Sequence, residues 1–207
     1  MLVEMLMPAA LVVFGLGGGY VDLVYVDGMD IYVGRTEVTQ AQWESVMHTG
    51  VAQQRDKANP FWSLGDMGPD YPMYYVNFEE AEEFCRRLSA ATGVHFRLPT
   101  EQEWEYAAEG GERGRYSVKN MLDRMGIEIK ENCNVIGIYG MNGGVWEWCG
   151  GDDTENWRII RGSMIHRCPT CGPSERIPMD TSSRMNFLGF RVVCEVTELE
   201  SALRRDR

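Results

Sequence analysis

The sequence predicts an α+β domain, and three observations carry that prediction. An Asp27-Gly28 step between two strand-like apolar runs reads as a β-hairpin. Helix-start signatures follow at Thr39, Asn77 and Thr100. The second half then breaks into short apolar pieces separated by Gly- and Asn-rich turns. At 207 residues the chain fits one generous domain, and 44% hydrophobic with 25% charged residues supplies a sizeable core, which excludes a disordered or low-complexity chain.

The elements are expected in this order. The apolar run from Leu6 to Leu16 contains Pro8 and Gly15 and is about half the length that crosses a bilayer. With Glu4 and no basic residue before it, it fits a secretion signal poorly and reads as a first strand or the end of an expressed chain. Residues 20–26 and 31–33 form the hairpin strands. Thr39 with Gln42 has capping-box spacing, in which a hydroxyl accepts one orphan N–H and the amide reaches back to another, so a short helix through Trp43 and Val46 follows. Asn77 with Glu80 repeats the device before a helix whose Phe78, Ala81, Phe84, Cys85 and Leu88 share one face and whose end is marked by Gly93. Thr100 with Glu103 opens a third helix that buries Trp104, Ala107 and Ala108 and stops at Gly110-Gly111.

Beyond Tyr116, short strands are expected at Val135 to Tyr139, Val145 to Cys149, Trp157 to Ile160 and Phe190 to Val193. Between the last two, Gly162 to Asn186 shows little order of period 2 or 3.6 and reads as a long irregular excursion. Loops this long in a compact domain are usually functional or disordered. The tail from Thr197 to Arg207 reads as helical and frayed.

Charge narrows the partners. Twenty Lys and Arg against 31 acids give a net charge of −11, which argues against nucleic acid because phosphate binding needs a basic footprint. Residues 1–150 hold 22 acids and 11 bases, whereas 151–207 hold nine of each, every base an Arg, which marks the last quarter for a different job. Six cysteines are too few for a disulfide scaffold and too scattered for a zinc ribbon, since only Cys168 and Cys171 are close; no metal site and no cofactor are expected. That close pair reads equally as a tight disulfide, free thiols or half of a metal site.

The segment from Phe96 through Arg97-Leu98-Pro99-Thr100-Glu101-Gln102-Glu103-Trp104-Glu105-Tyr106 to Ala108 resembles the most recognisable motif of the formylglycine-generating enzyme (sulfatase-modifying factor) family. Thr36-Glu37-Val38-Thr39, Gln42-Trp43, Tyr71-Pro72, Val76-Asn77, Phe84-Cys85, Gly143 to Trp148, Arg161-Gly162-Ser163 and Gly189-Phe190-Arg191 match it in order, covering roughly residues 30–193. The resemblance implies a C-type lectin fold of the formylglycine-enzyme subtype with much irregular structure, as one domain over residues 1–207 with 1–19 and 197–207 peripheral. It also implies that Arg161, Arg176 and Arg191 organise the excursion through carbonyl or carboxylate bonds, and that Cys85 and Cys194 lie near a family disulfide, with Cys194 displaced by two residues. Trp104, Trp146 and Trp148 are scaffold.

Active members of this family bind copper(I) through two cysteines with four residues between them. Laid on this chain, the second falls on Cys171 and the first on His166. A thiol shifted to Cys168 does not replace the missing one, because copper(I) needs soft ligands at defined geometry, so no catalytic residue is expected. Calcium is also disfavoured: Gly140 stands where the family offers an Asn or Asp side chain, although Glu147 remains.

The chain is most similar to a branch that keeps the scaffold and loses the chemistry, the variable proteins of diversity-generating retroelements of the Treponema type. Adenine-directed mutagenesis there rewrites the stretch corresponding to 157–191 into a binding surface. Ile165, His166, Arg167, Cys168, Pro169, Thr170, Gly172, Ile177, Thr181, Asn186 and Phe187 are compatible with mutated Asn codons and form the candidate ligand-binding surface. Met164, Glu175, Met179 and Met185 are not products of that route. The resemblance implies a non-enzymatic, receptor-like protein at the cell surface or outside the cell, with an unidentified protein or other macromolecule as ligand. No transmembrane segment is expected in this chain, and any signal or lipid anchor is expected to be absent from it.

Overall fold

The computed structural model of the protein describes residues 11–16, 19–110, 134, 136–141, 143–151, 156–162 and 175–205. Two sheets organise it. The first has strand order β1 (Leu11–Leu16), β2 (Gly19–Val26), β3 (Ile31–Gly34), β9 (Val193–Glu195), β4 (Phe96–Arg97), all antiparallel. The second runs β7 (Arg176–Asp180), β6 (Trp157–Arg161), β5 (Trp146–Trp148), β8 (Leu188–Gly189), with only β5 and β8 parallel.

The first sheet is covered on both faces, which explains why β2 reads as a nearly continuous apolar run. Val21 and Leu23 join a core with Trp43, Phe84, Leu88 and Phe190, while Val24 and Val26 join a second core with Val33, Trp104, Ala107 and Val193. Opposite parity along one strand sends the pairs to opposite faces. In the larger core Trp43 stacks on Phe84 at 5.8 Å and Phe190 meets Phe84 edge-on at 5.2 Å, the offset and T-shaped contacts that aromatic quadrupoles favour.

The helices form where capping chemistry places them. Helix α1 (Gln40–Met47) and helix α4 (Glu101–Ala108) carry complete capping boxes at Thr39 and Thr100. In α3 (Phe78–Thr92) Asn77 accepts from the Glu80 N–H, and Gly93 ends the helix in the left-handed region, but Glu80 makes no reciprocal bond because its carboxylate is engaged elsewhere. The tail expected to fray is helix α5 (Val196–Arg205), and its Leu199 is buried in the larger core.

Three sequence expectations are corrected, and one helix that none of them covered is added. Helix α2 (Val51–Ala58) was not legible, because its sequence is polar and buries only Val51 and Gln54. Residues 136–141 form turns rather than a strand; Asn134 organises them by accepting the N–H groups of Ile136 and Ile138. Phe190 to Val192 lie between β8 and β9 rather than in one strand, so Cys194 sits inside β9 instead of beyond the last strand. Within the stretch expected to be irregular, Arg176–Asp180 is an edge strand whose central Pro178 hides its pattern, as proline is tolerated only at sheet edges.

Candidate ligand-binding face

Strands β6 and β7 pair from Trp157 with Asp180 to Arg161 with Arg176, so the chain leaves the sheet after Arg161 and re-enters at Arg176. Both arginines at this mouth converge on Glu101 in the first turn of α4, a position fixed by the Thr100 cap. Glu101 Oε1 accepts from Arg161 Nη1 at 3.2 Å and from Arg176 Nε at 2.7 Å. Arg161 Nη2 lies 3.1 Å from Glu105 Oε1, and its guanidinium sits 5.5 Å from the centre of the Trp104 ring. Arg161 is buried and Arg176 exposed. The Arg161 pair is therefore strongly destabilising to break, whereas Arg176 adds little energy and mainly fixes geometry.

The far end, residues 181–187, is held chiefly through backbone. Thr181 N–H donates to Asn156 O at 3.0 Å and Thr181 O accepts the first N–H of α3, from Phe78, at 3.1 Å. Tyr75 N–H donates to Met185 O at 3.0 Å and Trp146 N–H to Phe187 O at 2.7 Å. One side chain adds to this: Arg184 bonds the Tyr75 carbonyl at 3.2 Å and the Glu80 carboxylate. Glu80 also accepts from Gln54 Nε2 at 2.6 Å and Lys57 Nζ at 2.8 Å. Burial alone would raise its pKa, but the bonds from Arg184 and Lys57 hold it below the ordinary carboxylate value.

Beneath the face lies a buried carboxylate–guanidinium centre. Arg191 Nε and Nη2 reach Glu147 Oε2 and Oε1 at 2.6 and 2.7 Å, and Trp104 Nε1 donates to Glu147 Oε2 at 2.7 Å. Arg191 also donates to the carbonyls of Gly34 at 2.9 Å and Tyr139 at 3.0 Å, so this one side chain joins both sheets and the 136–141 turn. Glu37 is the second carboxylate, 4.0 Å from Arg191 Nη2, and it receives the Val145 N–H at 3.4 Å. Burial pushes Glu37 up to about 7; Arg191 pulls it down and Glu147 pushes it further up. Gly140 and Gly144, both at positive φ, close around this carboxylate, and a Cβ on either would collide with it.

This arrangement does not fit a calcium ion. Both Glu147 oxygens are taken by a guanidinium, whose positive charge repels a second cation, and Gly140 gives way to Glu37 instead of offering an oxygen ligand. Among the described residues no group of three or more His, Cys, Asp or Glu is placed to hold a metal. Among them, too, no helix is long and apolar enough to cross a membrane.

Of the sequence-predicted surface, Ile177 is exposed on β7 and Asn186 is exposed beside β8. Thr181 is half-buried, and Phe187 is half-buried with its ring packed against the larger core. Ile165, His166, Arg167, Cys168, Pro169, Thr170 and Gly172 lie outside the described residues, as does Cys171. Arg161, Arg176 and Arg191 bond carboxylates and carbonyls as expected, and the three tryptophans are core. Cys85 and Cys194 are buried, unbridged thiols, and burial pushes Cys194 up to about 12. Sequence reasoning missed Glu101 and Glu80, which looked like ordinary first-turn acids, and the exposed Phe61, Trp62 and Trp157.

Fold and site together define a C-type lectin-like scaffold of the formylglycine-enzyme type. The chain matches the sulfatase-modifying factor enzyme 1-like domain over residues 25–135 and 125–196 and belongs to that family. It is 28% identical to the chaperone protein LppX of Paenibacillus barcinonensis over 64% of this chain and 68% of the relative. It is 29% identical to the formylglycine-generating enzyme of Thermomonospora curvata over 51% of this chain, and spans 41% of that enzyme's length. It is 26% identical to the inactive C-alpha-formylglycine-generating enzyme 2 of Bos taurus over 59% of this chain and 50% of the relative, so the family holds active and inactive members. Treponema denticola variable protein 1 superposes with a TM-score of 0.62 at 21% identity, covering 88% of this chain and 98% of that one, and shares the fold.

Proposed function

We propose that the protein is a non-enzymatic ligand-binding protein, a product of a diversity-generating retroelement, in which a single domain over residues 1–207 presents a diversified face built from 157–191. The observation that carries this reading is the mouth of the excursion. Arg161 and Arg176 are cross-strand partners held by one framework acid, Glu101, so the stretch between them is bordered at both ends by residues tied to an acid outside the proposed face. A rigid frame that presents changeable side chains is the economical way to build recognition. The face comprises Ile165, His166, Arg167, Cys168, Pro169, Thr170, Gly172, Ile177, Thr181, Asn186 and Phe187, and the ligand is a macromolecule met at the cell surface or outside the cell. The likeness to the Treponema denticola variable protein supports the fold part of this reading.

Sequencing the genomic neighbourhood tests it. A near-copy of the codons for 157–191 beside a reverse transcriptase gene, with mismatches confined to adenines, is the expected result. Absence of such a template overturns the retroelement assignment and leaves a pseudo-enzyme with one fixed partner. The matches to formylglycine-generating enzymes favour an oxidase as the second reading. Against it stands His166 in place of the first copper-binding cysteine. Oxygen-dependent turnover of a sulfatase peptide by the copper(I)-loaded protein would establish the oxidase instead.

A further inference from the structure

Away from this face, a cleft opens between α1, the start of α2 and the loop that follows α2. It measures about 360 Å³, and Ala41, Val51, Ala52, Met67 and Pro69 form its apolar walls. Glu44, on the exposed side of α1, is the charged residue of its lining. At its mouth the loop exposes Met67 at 55% and Tyr71 at 47%, the Tyr71 ring lying against Gly68. Met and Tyr are enriched in the cores of protein interfaces relative to the rest of protein surfaces.

The walls are fixed by their own bonds. The buried Gln40 side chain donates to the carbonyls of Asp66 at 3.0 Å and Pro72 at 3.2 Å, and accepts the Gly68 N–H at 3.2 Å. Gln40 N–H donates to Tyr71 O at 2.9 Å and Ala41 N–H to Pro69 O at 3.1 Å. The loop and α1 therefore form one unit, and little ordering is left to oppose binding.

Charge selects the occupant. Asp66 and Asp70 are exposed on either side of Met67 to Pro69 in the loop, and neither 40–54 nor 58–72 contains a Lys or an Arg. The two bases between those stretches turn elsewhere, Arg55 to Asp56 and Lys57 to Glu80. Glu44, Asp66 and Asp70 thus make the mouth electronegative. That disfavours an anionic lipid surface, and it disfavours a second copy of this chain, which carries the same acids at a net charge of −11. It favours a basic partner.

We infer that this cleft receives an Arg or Lys side chain of a protein partner. The aliphatic stem of that side chain lies along Ala41, Val51, Met67 and Pro69 with its cation at Glu44, the division by which long basic side chains bury their methylene groups and keep the charge at the rim. Flanking apolar residues of the partner cover Met67 and Tyr71, which a free cation would leave exposed. The cleft lies outside 157–191 and serves a partner that stays the same whether or not that stretch is diversified.

The test uses the full chain, isotope-labelled, and three acetylated, amidated peptides, Leu-Arg-Leu, Leu-norleucine-Leu and Leu-Glu-Leu, with butylguanidine as a free cation, all read by amide shift changes in NMR. The Arg peptide is expected to bind with millimolar Kd, to shift the amides of Ala41, Glu44, Ala52 and Met67, and to bind about tenfold more tightly than the other two peptides, the worth of one charge-assisted hydrogen bond. High salt should weaken it. Glu44→Gln should weaken it by about tenfold, and Met67→Ser, at an exposed position, gives a second reading if the first variant folds poorly and should also bind more weakly than wild type. Absence of binding by the Arg peptide, equal binding by the norleucine or Glu peptide, shifts confined to other surfaces, or binding unchanged in folded Glu44→Gln or Met67→Ser overturns the proposal. Butylguanidine binding as tightly as the Arg peptide also overturns it, in favour of a site for a free cation.

Discussion

The buried Glu37 should make the protein less stable as the medium becomes more basic. Its carboxyl is surrounded by the Val145 N–H, the backbones of Gly140 and Gly144, the Arg191 guanidinium and the Glu147 carboxylate. Arg191 is spent on Glu147 at 2.6 and 2.7 Å, so a negative charge on Glu37 is poorly compensated, and burial pushes its pKa from 4.5 to about 7. A carboxyl whose folded pKa exceeds its unfolded one binds its proton more tightly when folded. Its contribution is complete below pH 4.5 and is lost as pH rises through 7. The gap between these values corresponds to about 3 kcal/mol. Urea unfolding at steps from about pH 5 to about pH 8, in wild type and Glu37→Gln, reads the effect of Glu37 and its coupling to Glu147 and Arg191, because groups away from this centre titrate equally in both. Wild type should lose about 3 kcal/mol relative to the variant across that window. Parallel curves would refute the reasoning. Two partly buried acids with lowered pKa, Glu80 and Glu103, act in a different window, since what they add is lost only as pH falls below 4.5.

Three further outcomes follow from the packing. Glu101→Gln removes the charge shared by Arg161 and Arg176 while Glu105 stays, so stability should fall by about 2 kcal/mol, measured by urea unfolding, with no change in the helical circular dichroism. Gly189→Ala would drive a Cβ into the Met73 carbonyl and the Val145 side chain, and the resulting overpacking should cost about 3 kcal/mol in the same assay. Thr100→Ala deletes the cap of α4 and should cost about 1 kcal/mol; equal Tm values for it and wild type would mean that the cap is dispensable.

What could be read from sequence was local chemistry. Thr39, Asn77 and Thr100 announced their helices because a cap is a contact between residues three apart, and Asp27-Gly28 announced the hairpin for the same reason. Helix α2 and strand β7 escaped because tertiary contacts hold them rather than their own pattern. Gln54 in α2 is buried against Glu80, and β7 exists by pairing with β6 despite Pro178. The same limit applied to the site. That Arg161, Arg176 and Arg191 bond acids and carbonyls followed from the resemblance, but their partners Glu101 and Glu147 lie far from them in sequence and only the fold joins them. Nothing in the sequence distinguished Trp62 from a core tryptophan, since exposure is not written in residue type.

The bonds that hold the face divide its residues by how freely each can change. Thr181, Met185 and Phe187 serve the framework through their backbone carbonyls, which any residue supplies, and no side-chain hydrogen bond of Asn186 ties it to the described framework. Ile177 stands exposed on an edge strand. Replacing Thr181, Ile177 or Asn186 therefore leaves the ladder intact, and surface substitutions of this kind usually stay within about 0.5 kcal/mol. Phe187 is different, because its ring packs on the core and a polar replacement would forfeit that burial. Arg161, Arg184 and Arg191 are different again, since each leaves a buried or half-buried carboxylate behind when removed. Arg161 and Arg176 are both tied to Glu101, which lies outside the proposed face, so the framework holds both borders of the stretch between them through contacts made by their own side chains. A fold that relies on backbone and on a few arginines at the border of its face can accept new side chains within it, and this is the physical condition that the proposed function requires.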